Sequence, residues 1–136
     1  IPIATQITHA AGVATALKLK QQKQAVLTTC GDGASSRGDF YEALNLAGVW
    51  HLPLVVVINN NQWAISVPLS QQTACETLAQ KAIAAGVLGV RVDGNDFFAL
   101  MAVFKEALDR ARTGKGTTLI VKQSLIDFAT TPPPMI

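Results

Sequence analysis

Residues 52–58 read LPLVVVI, a short stretch apolar at every position. With no polar alternate, such a stretch as a strand needs cover on both faces, which is the situation of a parallel strand inside a sheet flanked by helices. Strand-like runs recur, with some polar positions: QAVLTTC before it, GVRVDG and TTLIV after it. Between them the apolar residues fall at helical spacing. Ile7, Ala11, Ala14 and Leu17 predict a helix over residues 7–20. A second helix is expected over residues 36–49, with Ser36 as its cap and Asp39 at its positive end. Thr73 and Glu76 read as a capping box opening a helix over residues 74–86. Phe97, Leu100, Phe104 and Leu108 mark a last helix, closed by Gly114, Lys115 and Gly116. Strand and helix alternate without linker or repeat, so the expected fold is three-layer α/β with a mainly parallel sheet.

A chain of 136 residues holds one core. Here 49% of residues are apolar and only 15% charged, so apolar surface should remain for a partner. A net charge of +2 without a Lys/Arg cluster argues against nucleic acid. No run approaches a membrane span and no signal peptide is present. Cys30 and Cys75 have neither metal-ligand spacing nor a disulfide framework, which points to the reducing cytoplasm. The opening IPIATQITHAAG lacks an initiator Met and reads as a cut inside a larger protein or as a processed chain.

In parallel sheets ligands bind at the carboxyl ends of strands. Two loops stand there: GDGASS after QAVLTTC, and NNNQWAIS after LPLVVVI. Asp32 offers a hard oxygen, and Gly31 and Gly33 let the backbone approach a ligand closely. The N–H groups of Gly33 to Ser36 lead into a helix start, a natural anion site. A carboxylate in an anion site is self-defeating unless a cation lies between them. The economical reading is a divalent metal bridging Asp32 to a phosphate, with Asn59, Asn60 or Asn61 adding a neutral oxygen. Each loop alone also reads as an ordinary turn. His9 reads as a helix-face or core histidine and His51 as a loop residue. Cys30, beside the anion site, is either a thiol of lowered pKa or a packed structural one. Trp63 reads either as an exposed contact or as a loop anchor.

The stretch GDGASSRGDFYEALNLAGVWHLPLVVVINNNQWAISVP resembles the thiamine diphosphate motif, a GDG followed some thirty residues later by NN. Its wording is similar to the alpha subunit of the decarboxylating component of 2-oxo acid dehydrogenase complexes. IPIATQ, HAAGVA, RVDGNDFFA and RTGKG extend the likeness over residues 1–120. The resemblance implies a thiamine diphosphate-binding fold in which Asp32 and Asn61 ligate Mg²⁺ by side chain and Trp63 by its backbone carbonyl. Trp63 stands where the family usually has Tyr, a change that a backbone ligand tolerates. Gly31, Gly33 and Ala34 would meet the diphosphate, the last two through backbone N–H groups. Ile3 matches the bulky residue that holds the cofactor bent, and Thr5 and Gln6 match a monovalent-cation site of some relatives. Asn59 takes a position where some members place Arg or Glu, so no diphosphate contact is assigned to it.

The chemistry implied is decarboxylation of a 2-oxo acid on thiamine diphosphate, then acylation of a lipoyl group on a lipoyl-bearing acyltransferase. The activating glutamate belongs to a beta subunit, so no catalytic residue is expected in this chain, which alone should be inactive. QQTACETLAQKA resembles pyruvate dehydrogenases more than branched-chain ones. Two rivals remain: a transketolase-like amino-terminal half, against which NNNQWAIS speaks, and a self-associating structural remnant. A homo-oligomer is expected of the chain by itself.

After residue 120 the family continues with a loop of the type EAxSYRxGDHTTADD, whose His reaches the diphosphate. Here the text is VKQSLIDFATTPPPMI, and Ala129 to Thr131 offer no imidazole. Joining each codon's third base to the first two of the next permits Glu-Ala-Ile-Ser-Tyr-Arg-Leu-x-Asp-His-Thr-Thr-Ala-Asp-Asp from Val121 onward. The expectation is therefore a cofactor-binding domain over residues 1–120 and a frame-shifted tail over residues 121–136.

Overall fold

The structure, a computed structural model, describes residues 2–124. Ile1 and the stretch 125–136 lie outside the described residues, and with them most of the tail, Ala129 to Thr131 included. In chain order the elements are α1 (Thr5–Leu19), β1 (Val26–Gly31), a 3-10 turn (Asp32–Ser36), α2 (Gly38–Val49) and β2 (Leu54–Asn60). A small hairpin of β3 (Trp63–Ala64) and β4 (Val67–Pro68) follows, then α3 (Leu69–Gln72), a second 3-10 turn (Leu78–Gln80) and α4 (Lys81–Ala84). β5 (Leu88–Asp93), α5 (Phe97–Arg112) and β6 (Thr118–Gln123) complete the described chain.

Four strands form one parallel sheet in the order β1-β2-β6-β5. The all-apolar stretch supplies β2, which lies inside the sheet between β1 and β6. Its residues divide by parity, as the pleat requires. Leu54, Val56 and Ile58 join the core formed with α1 and α2, whereas Val55 and Val57 join the one formed with α5. On β6, Leu119 and Val121 face the first core and Ile120 the second. Cover on both faces is thus what the missing polar alternate recorded. β1, at the sheet edge, differs: Thr28 and Cys30 are buried, whereas Leu27 and Thr29 are exposed.

The first core is built from small residues of α1 (Ala10, Ala11, Ala14) against larger ones of α2 (Phe40, Leu44), which are fully buried. Burying each of these two larger side chains contributes roughly 1.5–3 kcal/mol. α5 starts at an unforeseen cap, where Asp96 Oδ1 accepts a hydrogen bond from Ala99 N at 3.0 Å. Apolar side chains also remain in solvent, among them Val49, Trp50, Phe97 and Phe98. No helix among the described residues is long and apolar enough to cross a membrane.

Three local expectations are corrected. Ser36 does not cap α2, because it is spent inside the preceding 3-10 turn; its Oγ donates to Gln72 O at 3.3 Å, and Arg37, extended, precedes the helix. The capping box is at Thr77 and Gln80, where Thr77 N donates to Gln80 Oε1 at 3.4 Å, and not at Thr73 and Glu76. Only from the later box do Leu78 and Ala82 both reach the core, so the expected helix shortens to a 3-10 turn and α4. The NNNQWAIS segment is not all loop: Asn59 and Asn60 extend β2, and Trp63–Ala64 pairs with Val67–Pro68.

Candidate functional site

The parallel register sets Gly31 of β1 directly beside Asn59 of β2. Asp32 and the triple asparagine therefore leave the carboxyl edge of the sheet from neighbouring strands, as the two loops required. The alignment follows from sequence: two apolar runs that both need burial slide until their polar ends coincide.

On the β1 side the chain winds into the turn Asp32–Ser36. Asp32 is only 2% exposed, a rare condition for a carboxylate that lacks a partner. Gln72 of α3 supplies one, its Nε2 donating to Asp32 Oδ2 at 3.0 Å and also to Val67 O at 2.9 Å. Ser35, fully buried, donates from Oγ to Asp32 O at 2.7 Å and closes the turn from within. Gly33 is half-buried, and a Cβ placed on it would stand 2.6 Å from Ala64 Cβ, so the hairpin packs on the turn only because this residue has no side chain. Gly31 meets nothing within 4 Å; open space surrounds it. Ala34 is buried against the first core.

On the β2 side, Asn60 Oδ1 accepts from Gln62 N at 3.0 Å and Asn61 Oδ1 from Trp63 N at 3.1 Å, two successive side-chain turns. Gln62 and Ile65 take positive φ values of 69° and 56°. For a β-branched residue such as Ile65 that conformation is strained, and strain of this kind gathers where a loop is held for a purpose. Trp63, 37% exposed, lies between the two. Asn59 is exposed and Asn60 buried.

The remaining candidates are placed as follows. Ile3 is half-exposed just ahead of α1. Gln6 Nε2 donates to Thr29 O at 3.1 Å, and Thr5 O accepts from Thr8 Oγ1 at 2.7 Å, so Gln6 turns its amide nitrogen, not its oxygen, toward β1. His9 is exposed on α1, and His51 is exposed at positive φ, packed beside Gly116. Cys30 is a packed thiol: burial first, then the Asp32 carboxylate, push it up to about 11, with Lys81 acting in the opposite sense. The reading of a lowered thiol pKa is thereby set aside.

Two contributors were not foreseen. Gln72 reaches Asp32 across forty residues of chain and Lys81 reaches Ser35 across forty-six, separations no local pattern records. The Oε1 of Gln72 is buried without a hydrogen-bond partner and lies near the position that a Cβ on Gly33 would take. Among the described residues no three of His, Cys, Asp and Glu gather in one place. A cation here would thus be held by the Asp32 carboxylate and neutral oxygens of the asparagine loop, a hard-oxygen set that suits Mg²⁺ shared with a phosphate. The orphaned Gln72 acceptor beside Gly33 is consistent with a polar group belonging at that point.

The model for the dehydrogenase E1 component matches residues 1–124. Over 120 residues the chain is 53% identical to the pyruvate dehydrogenase E1 component subunit alpha of Staphylococcus aureus, covering 88% of this chain and 32% of that protein. It is 51% identical over 120 residues to the 3-methyl-2-oxobutanoate dehydrogenase subunit alpha of Mycobacterium tuberculosis, covering 88% and 33%. The chain spans about a third of the length of these relatives. Among solved structures, a transketolase from Campylobacter jejuni superimposes with a TM-score of 0.77 at 23% identity, covering 96% of this chain and 21% of that one, a likeness of fold. A transketolase from Leishmania mexicana gives 0.72 at 27% identity, covering 91% and 20%. With the family model matched from residue 1 to residue 124, the whole of the described fold, this chain belongs to the dehydrogenase E1 component family.

Proposed function

We propose that this chain carries the Mg²⁺- and thiamine diphosphate-binding part of the alpha subunit of a pyruvate dehydrogenase component. The observation that carries the reading is the register of β1 on β2, which brings the Asp32 turn and the asparagine loop to one edge of the sheet. Asp32 and Asn61 would hold Mg²⁺ by side chain and Trp63 by its carbonyl, while Gly31, Gly33 and Ala34 present backbone to the diphosphate. Ile3 would support the bent cofactor. Bound there, thiamine diphosphate would supply the electron sink that takes up the bonding pair left when a 2-oxo acid releases carbon dioxide. The residues of this chain bind and orient; the activating glutamate comes from a beta subunit, and the acyl group passes to a lipoyl-bearing acyltransferase. Exposed Val49 and Trp50 suit association with that beta subunit or with a second copy of the chain.

The choice of pyruvate rests on the wording of residues 71–82, since the likeness to the two relatives is nearly equal. The domain over residues 1–120, followed by an out-of-frame tail, belongs to the same proposal. Sequencing the coding DNA tests it, and the proposed tail is wrong if the second frame does not encode the family loop. For the cofactor, calorimetric titration of Mg²⁺ with thiamine diphosphate is expected to give a heat that Asp32→Ala abolishes. Equal heats from both proteins overturn Asp32 as a ligand, and no heat from the native chain at millimolar ligand overturns the cofactor reading and leaves a self-associating remnant.

A further inference from the structure

Lys81 is 4% exposed, although lysine is among the residues least often buried without a paired charge. Among the described residues no carboxylate pairs with it; the one ion pair there joins Arg112 to Asp109. Its Nζ instead donates to Ser35 O at 2.7 Å and to Ser35 Oγ at 3.0 Å, and it stands 5.2 Å from the centre of the Tyr41 ring. Ser35 Oγ in turn donates to Asp32 O. An unbroken chain of hydrogen bonds therefore runs from the start of α4, through Ser35, to the backbone of the residue that opens the turn.

Two features say that this amine does more than fill space. Burying an amine costs it its hydration, and an apolar side chain of like volume would pack at no such cost. Its bonds go to the backbone oxygen and hydroxyl of one residue, the last but one of the turn, and Tyr41 on α2 adds a favourable ring face. The positive charge is thus lodged under the turn on the side away from solvent, where it is little screened.

We propose that Lys81 is a positioning residue for diphosphate binding, acting through Ser35 on the turn Asp32–Ser36. The assignment rests on the cofactor reading above for its ligand, but not for its anchoring of the turn. Removing the amine frees Ser35 O and Oγ, lets the turn relax, and withdraws the buried charge that complements an anion on its outer side.

The test uses the full 136-residue chain and two variants, Lys81→Met and Ser35→Ala. In cofactor-free protein, amide hydrogen exchange at residues 35–37 is expected to rise on the order of tenfold in Lys81→Met and roughly threefold in Ser35→Ala, with β2 unchanged. Unaltered exchange at residues 35–37 in both variants overturns the proposal, as does a rise that is no greater there than in β2. Where Lys81→Met fails to fold, Ser35→Ala decides by the same criterion. With Mg²⁺ and thiamine diphosphate, Lys81→Met is expected to bind about tenfold more weakly than the native chain, a difference of roughly 1.4 kcal/mol. Native binding with an equal affinity in Lys81→Met overturns the diphosphate role. No binding by the native chain overturns the cofactor reading, while the exchange data still decide the anchor.

Discussion

The two loops that meet at the carboxyl edge of the sheet are built in opposite ways. The turn Asp32–Ser36 is held from inside, with Asp32 and Ser35 buried and hydrogen bonds arriving from Gln72 and Lys81. The segment after β2 is held by its own backbone, through side-chain turns at Asn60 and Asn61 and through positive φ at Gln62 and Ile65. The first is a cradle fastened by these bonds before any ligand arrives, with Gln72 Oε1 left as an unmatched acceptor. The second keeps Trp63 and Ile65 in solvent and stores its conformational cost locally. For the anion and metal site proposed above, this division would leave the turn side preorganised.

The comparison is sharpest where the two loops touch. Gly33→Ala adds a Cβ 2.6 Å from Ala64 Cβ and must push the hairpin off the turn. The expected cost is about 1–3 kcal/mol, as for other overpacked contacts, read by urea unfolding. Gly31→Ala serves as its control, because nothing lies within 4 Å and its φ of −82° suits any residue. There the change is expected to stay within about 0.5 kcal/mol. If the two glycines prove equally tolerant, the hairpin does not rest on the turn and the division drawn above fails.

Gln72 is the polar fastening between the same two regions. Gln72→Leu keeps most of the volume but removes the hydrogen bonds to Asp32 Oδ2 and Val67 O, leaving a buried carboxylate without its amide. A loss of about 1–2 kcal/mol is expected, partly offset because the orphaned Oε1 goes too. The loss should shrink when Mg²⁺ is added, since a bound cation would take over the carboxylate. Were the deficit the same with and without Mg²⁺, Asp32 would not be a ligand.

What the sequence disclosed and what it withheld divide along the same line. The sheet could be read because β2 lacks a polar alternate, and that absence has one physical explanation. The meeting of the Asp32 turn and the asparagine loop could be read because each follows a strand-like run, so the register that pairs the runs also brings their ends together. The supports of the turn could not be. Lys81 sits in TLAQKA, where helical spacing makes it look like a solvated lysine, and only the return of α4 over the turn buries it. The misplaced capping box has a similar origin. TACETLAQ contains two successive boxes, Thr73 with Glu76 and Thr77 with Gln80, and propensity prefers the glutamate. Packing of Leu78 and Ala82 selects the other. Asp96, by contrast, went unforeseen although a signal was there: an aspartate immediately before the periodic residue Phe97 is a cap by the ordinary rule.

The smallest effect is silent at neutral pH and belongs to the two cysteines. Cys30 is buried at the base of the rigid turn and Cys75 is half-buried in the segment beyond the hairpin. The fold raises the Cys30 thiol from 9.0 to about 11, chiefly by burial, so the folded protein holds that proton more tightly than the unfolded chain does. Its contribution to stability is therefore complete below about 9 and is lost as pH rises through the interval to about 11. Chemical unfolding of native chain and Cys30→Ala across that interval is expected to show a steeper decline for the native chain. At pH 8 a thiol-alkylating reagent should consume Cys75 well before Cys30, because the thiolate is the reactive form and burial withholds it. Faster loss of Cys30 would mean that the turn opens readily in the cofactor-free protein, and the cradle would then be no more rigid than the loop it faces.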